Sequence, residues 1–117
     1  MDKILLIDTS DREKTVVGLR MGNKTHFLKG KRVSSQILLP LIDKILQKYH
    51  LAPQDLTGIE VNLGPGSFTG LRVGVTIANT LGVFLKIPIN GKKVGQLVTP
   101  TYKEKLTWQE KKKSLTY

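Results

Sequence analysis

At 117 residues the chain is long enough for one packed domain and too short for two. It has no cysteine, which excludes a disulfide framework and a thiolate metal centre, and its 39% hydrophobic and 24% charged residues are the mix of a globular domain. A formal charge of +10, from 19 Lys and Arg against 9 Asp and Glu, favours polyanionic partners, nucleic acid above all, although the basic residues spell no RNA-reading motif.

The N-terminus, Met1-Asp2-Lys3-Ile4, carries an early acid and too short an apolar run for a signal peptide, so a cytoplasmic protein is expected. Ile4-Leu5-Leu6-Ile7 reads as a buried central strand that ends in Asp8-Thr9-Ser10. A turn at residues 10–13 leads to a second strand over residues 15–20. Met21-Gly22-Asn23-Lys24 is a tight hairpin turn, and residues 25–29 are the third strand. After the basic link Gly30-Lys31-Arg32-Val33, Ser34 or Ser35 caps a helix that runs to Tyr49 or His50. Its apolar stripe is Ile37, Leu38, Leu41, Ile42, Ile45, Leu46 and Tyr49, with Pro40 near the end of the first turn. Pro53 opens a short helical turn in the connector at residues 51–56. A strand over residues 59–63 then feeds a Gly-Pro-Gly turn and a long apolar helix to about Leu85.

Pro88-Ile89 begins another short strand that ends at Asn90-Gly91, and residues 94–98 are expected to add one more. The order is β-β-β-α-β-α-β: an antiparallel meander, then strands returned through helical crossovers that make parallel neighbours. That is an α/β mixed sheet of the ribonuclease H-like or actin-like ATPase fold. Residues 1–91 make this domain. Residues 92–117, with seven Lys against two Glu and the lone Trp108, are expected to be a basic extension, a short strand or helix or a partly mobile tail.

The second helix carries two signals. Its start, Gly66-Ser67-Phe68-Thr69-Gly70, combines a turn with capping residue types and leaves free backbone N–H groups. Those groups suit a phosphate or carboxylate, such as a nucleotide's phosphate, with Ser67, Thr69 and Arg72 beside it, while Asp8, with Thr9 and Ser10 at the strand end, could coordinate Mg²⁺ through water as the matching acid does in actin-like ATPases. The plainer reading is a turn whose glycines let helix and sheet pack, with Asp8 capping its own loop and Arg72 a solvated charge. The run is not a Walker loop. The other signal is Gly70, Gly74, Ala78 and Gly82 at every fourth position. Each Gly costs about 1 kcal/mol against Ala in a helix, so something must lie close to this ridge, and another helix is the natural candidate.

The second helix is apolar nearly all round, more than one sheet can cover. A helix–helix interface between molecules is therefore expected through Ile37, Leu38, Leu41, Ile45, Gly70, Val73, Gly74, Ile77, Ala78 and Leu81. The alternative is packing between the two helices of one chain. A membrane span is not expected, because Arg72 and Asn79 lie inside the apolar run. Two-metal nuclease chemistry needs converging acids, and of Asp8, Asp43, Asp55 and Glu60 only Asp8 is well placed.

Three stretches now coincide: Ile4-Leu5-Leu6-Ile7-Asp8-Thr9-Ser10, Ser35-Gln36-Ile37-Leu38-Leu39-Pro40-Leu41-Ile42, and Gly64-Pro65-Gly66-Ser67-Phe68-Thr69-Gly70-Leu71-Arg72-Val73-Gly74. In this order and spacing the chain resembles the TsaB (YeaZ) family over about residues 3–91. The resemblance implies an actin-like fold and a part in forming threonylcarbamoyladenosine at adenosine 37 of ANN-reading tRNAs. It implies a non-catalytic subunit that binds and activates a TsaD-like catalytic subunit, in a complex with a TsaE-like ATPase. Pairing would run through the two helices, as a homodimer when alone, with tRNA reached only through the complex. It implies no catalytic residue, no cofactor and no metal in this chain.

A TsaD-type metal site needs two His at HxxxH spacing, whereas His26 lies in a predicted strand and His50 at a helix end. Typical members of the family also carry a second domain of the same kind, so a short form is expected. Two alternatives remain: a stand-alone nucleotide-binding module of the same fold, and a basic RNA-binding module acting alone.

Overall fold

A computed structural model describes residues 1–101 of the chain. Strands β1 (Lys3–Asp8), β2 (Lys14–Met21) and β3 (Lys24–Lys31) open it. Helix α1 (Ser35–Lys48), a 3-10 turn at Pro53–Asp55, strand β4 (Gly58–Val61) and helix α2 (Phe68–Leu85) follow. The four strands form one sheet in the order β3-β2-β1-β4. The meander is antiparallel, and β4 lies parallel to β1 after the α1 crossover. This is the mixed α/β sheet that the element order predicts.

The core is built on one face of that sheet. Alternation sends Leu5 and Ile7 of β1, Val17 and Leu19 of β2, and Ile59 and Val61 of β4 to the same side. Helix α1 lies over β2 and β3 and contributes Leu38, Ile42, Ile45 and Leu46; helix α2 lies over β1 and β4 and contributes Leu71, Val75 and Ala78. Each large apolar side chain among these stabilises the fold by about 1.5–3 kcal/mol. Ile37 and Leu41 sit over Gly30 of β3, in space that a side chain there would need. Pro40 is the sixth residue of α1, in its second turn, and is exposed, so the backbone bond it cannot make is lost on the solvent side. Ser34 caps α1 through its carbonyl, which accepts from the Ile37 and Leu38 N–H groups at 3.1 and 2.9 Å. Its hydroxyl makes no capping bond.

Two expected strands differ in the structure. After α2 the chain returns beside β4 for a single parallel bridge, Ile59 to Ile89. The Asn90 side chain takes the next rung, accepting from Val61 N–H at 2.8 Å and donating to Val61 O at 3.1 Å. Residues 94–98 form no strand: Gln96 N–H donates to Lys93 O at 3.0 Å and closes a turn. Val98 is then buried on α2, its N–H and C=O both bonded to the Asn79 amide at 2.9 Å. A side chain thus supplies the pairing that a neighbouring strand would have given. The expectations for Trp108 and the Lys-rich stretch around it lie outside the described residues.

The other face of the sheet carries Ile4, Leu6 and Asp8 of β1, Val16, Gly18 and Arg20 of β2, Phe27 of β3 and Glu60 of β4. Among the described residues no helix covers it.

Candidate functional site

The two motifs that dominate the sequence meet at the C-terminal end of the parallel pair β1–β4, where α/β sheets place their ligand sites. Asp8 ends β1, and one carboxylate oxygen, Oδ1, accepts from Ser10 N–H at 3.0 Å, Ser10 Oγ at 2.6 Å and Asn62 Nδ2 at 3.2 Å. Asn62, just past β4, accepts in turn from Gly64 N–H at 2.9 Å. The Gly-Pro-Gly turn, which contains a cis Gly64–Pro65 bond, is laid directly on the Ser10 backbone, and Ser67 N–H donates to Ser10 O at 2.8 Å. Thr9 is completely buried and its hydroxyl donates to Gly70 O at 2.6 Å, inside the first turn of α2. Ser67 caps that helix by accepting from Gly70 N–H at 3.3 Å.

This junction explains the glycine ridge. A side chain at Gly70 would strike the Thr9 carbonyl, one at Gly74 the Thr9 hydroxyl and Ile7, and one at Gly82 the Ile89 side chain. The expectation that another helix lies along the ridge is corrected: the close neighbour is the end of β1 and the Ile89 bridge of the same chain. Leu38, Ile45, Gly70, Gly74 and Ala78, expected at an interface, are buried in the chain's own core. Ile37, Leu41, Val73, Ile77 and Leu81 are half-buried at its margin.

The residues expected around an anion are not gathered at one point. Asp8 opens on a hollow of about 640 Å³ on the uncovered sheet face, lined also by Leu6, Val16, Gly18, Phe27, Glu60, Asn62 and Asn90. Thr69 and Arg72 line a separate groove of about 360 Å³ with Ser35, Phe68, Val73, Thr76 and Ile77, and the Arg72 guanidinium lies 5.7 Å from the Phe68 ring centre. Thr9, Ser10 and Ser67 spend their hydroxyls on the junction itself. Glu60 forms a bidentate ion pair with Arg20, one arm at 3.2 Å, and this hydrogen bond, with the added attraction of the carboxylate, holds the guanidinium above its ordinary pKa range. His26 stacks on Tyr49 with ring centres 4.3 Å apart. Among the described residues no three His, Asp or Glu side chains gather as metal ligands.

The three structural asparagines, Asn62, Asn79 and Asn90, do not stand out in the sequence as site residues. Asn79 did carry a signal, as a lone amide within the apolar run of α2.

A four-stranded mixed sheet with both helices on one face, and two glycine- and hydroxyl-rich turns locked together at its parallel end, defines an α/β domain of the actin-like, ribonuclease H-like class. A family model described as TsaD, tRNA N6-adenosine threonylcarbamoyltransferase, matches residues 29–100. The protein named tRNA threonylcarbamoyladenosine biosynthesis protein TsaB is 36% identical in Bacillus subtilis, over 85% of this chain and 49% of that protein. The proteins of the same name are 37% identical in Haemophilus influenzae (74% and 37% covered) and 33% in Escherichia coli (76% and 39%). YeaZ from Pseudomonas aeruginosa superposes with a TM-score of 0.72 at 27% identity, over 80% of this chain and 44% of that one. The chain belongs to the family of this model, as a TsaB (YeaZ) member. It spans half or less of the length of these curated relatives.

Proposed function

We propose that the chain is a non-catalytic accessory subunit in the formation of N6-threonylcarbamoyladenosine at adenosine 37 of tRNA. It pairs with and activates a TsaD-like catalytic subunit, in a cytoplasmic complex that includes a TsaE-like ATPase. The names of its relatives support the pathway. The observation that carries the pairing is the outer side of α2. The helix has a mean hydropathy of 1.4, yet only 33% of it is buried within the described chain. Val73, Ile77 and Phe84 repeat at helical spacing along one flank; Val73 and Ile77 are half-buried against the core, whereas Phe84 is 77% exposed and Val83 beside it 52%. The groove between the starts of α1 and α2 continues this strip past Phe68 and Arg72.

Length and hydropathy alone would also suit a membrane crossing, but the opposite side of α2 is keyed into β1 at Gly70 and Gly74. A helical partner surface covers the strip instead. Burial at about 25 cal/mol per Å² favours the pair before association costs are subtracted. In the absence of the catalytic subunit a second copy covers the same strip.

Reconstitution tests this reading. A mixture of the catalytic subunit, the ATPase and an enzyme that supplies the activated threonylcarbamoyl donor, lacking an accessory subunit, is expected to gain threonylcarbamoyl-tRNA when this chain is added. Phe84→Lys is expected to remove the gain while leaving the thermal midpoint unchanged. Product formation indifferent to the chain would refute the proposal.

A further inference from the structure

The uncovered face of the sheet holds a second set of features that the pairing strip does not use. The strand registers place its side chains in rows. Phe27, Gly18, Leu6 and Glu60 form one row, and Lys29, Val16 and Asp8 form the next; Lys31 and Lys14 stand opposite each other beyond it. Phe27 is 56% exposed, and its ring lies over Gly18, where a side chain would collide with ring atoms Cδ1 and Cε1 at 2.9 Å. The aromatic is therefore seated on the sheet rather than hanging from its edge, beside an open hollow of about 640 Å³ lined by Leu6 and Val16 and also by Asp8, which is held by Ser10 and Asn62, and by Glu60, which is paired with Arg20. Lys14, Lys29 and Lys31 are all exposed, whereas Arg20 is already paired with Glu60.

We infer that this face binds single-stranded RNA directly, with a base stacked on Phe27 and phosphates held by Lys14, Lys29 and Lys31. An aromatic seated on a β-sheet and flanked by cations is the arrangement that recognises unpaired bases, because every base offers a stacking face and its backbone needs neutralising. Charge complementarity selects this occupant: the chain carries +10 overall, and the three lysines lie along one margin of the aromatic row. A backbone following that margin places its bases over Phe27, Gly18 and Leu6. The inference does not depend on pairing through α2, which lies on the other side of the sheet.

The test is the binding of a labelled single-stranded oligouridine to the full chain, measured against salt and compared with an RNA duplex of equal length. The expected result is tighter binding of the single strand, weakened about tenfold by Phe27→Ala with the salt slope unchanged. Replacing Lys14, Lys29 and Lys31 with Ala is expected to lower the slope by about 0.7 for each phosphate that is no longer neutralised. Phe27→Leu, which keeps apolar cover over Gly18, controls for folding and is expected to weaken binding as Phe27→Ala does. Amide shifts on titration of the unaltered chain are expected in β2 and β3. Preference for the duplex, or affinity indifferent to Phe27, would overturn the inference and leave only general attraction to polyanions. Loss of a self-associated state in the Phe27 variants would overturn it too, by showing that a second copy occupies the face.

Discussion

Thr9 does more for this fold than its size suggests. Its hydroxyl is buried on the Gly70 carbonyl, and its side chain fills the space that Gly74 leaves open. Thr9→Val keeps the shape but leaves that carbonyl without its donor, and is expected to cost about 1–3 kcal/mol in chemical denaturation. Gly74→Ala sets two effects against each other. Helix propensity favours Ala by about 1 kcal/mol, but the new methyl meets a hydroxyl that cannot move without losing its bond, and such overpacking costs about 1–3 kcal/mol. Net destabilisation is expected; a gain in stability would contradict the close approach of Thr9.

The Arg20–Glu60 pair makes a different kind of statement. Its guanidinium pKa is raised, so the pair's contribution through Arg20 is fully present below the ordinary arginine range and is lost only as pH climbs through the raised value. Glu60→Gln is therefore expected to lower stability slightly, by the same amount across the neutral range, and the difference is expected to vanish in high salt.

At the scale of elements, α2 is two helices in one. One side is built of Gly and Ala and lets the backbone rest on β1; on the flank beyond it Val73 and Ile77 are half-buried against the core, and Val83 and Phe84 are exposed. Its C-cap, Lys86, is left-handed at φ 58, a conformation that a side chain makes costly. Lys86→Gly is expected to raise the thermal midpoint by the equivalent of about 0.5–1 kcal/mol, the net of relieved strain and the greater unfolded-state freedom of Gly.

Strand periodicity and the Gly22-Asn23 turn placed the meander correctly, because both signals are local. The partner of the glycine ridge was not legible. Spacing says that something comes close, but Thr9 and Gly70 stand 61 residues apart, and no local pattern names that pairing. The residues 94–98 failed as a strand for a related reason: Val98 has the β-propensity, but its backbone partner is the Asn79 side chain on a helix.

The described residues present two unlike surfaces on opposite sides of one sheet. Beyond the sheet on the helix side runs the strip of α2 that ends in the exposed Phe84; on the face that no described helix covers lie Phe27, the hollow and a margin of lysines. Asp8, Thr9, Ser10 and Ser67, which the sequence marks as one cluster, converge on the junction between β1 and α2. What could not be foreseen is that their polar atoms are used inside the junction, Ser10 on Asp8, and Thr9 and Ser67 on the Gly70 backbone. The outward side chain Phe68 does not stand out in the sequence as an interface residue, because exposure depends on which helix side the sheet claims.

The most direct test of the account is the light-scattering mass of this chain eluted with a TsaD-like catalytic subunit, next to the same mixture made with Phe84→Lys. The account predicts a stable mixed complex for the unaltered chain, and separate components with unchanged folds for the variant. Two unassociated proteins in both mixtures, or a complex that ignores the substitution, would contradict pairing through the outer side of α2.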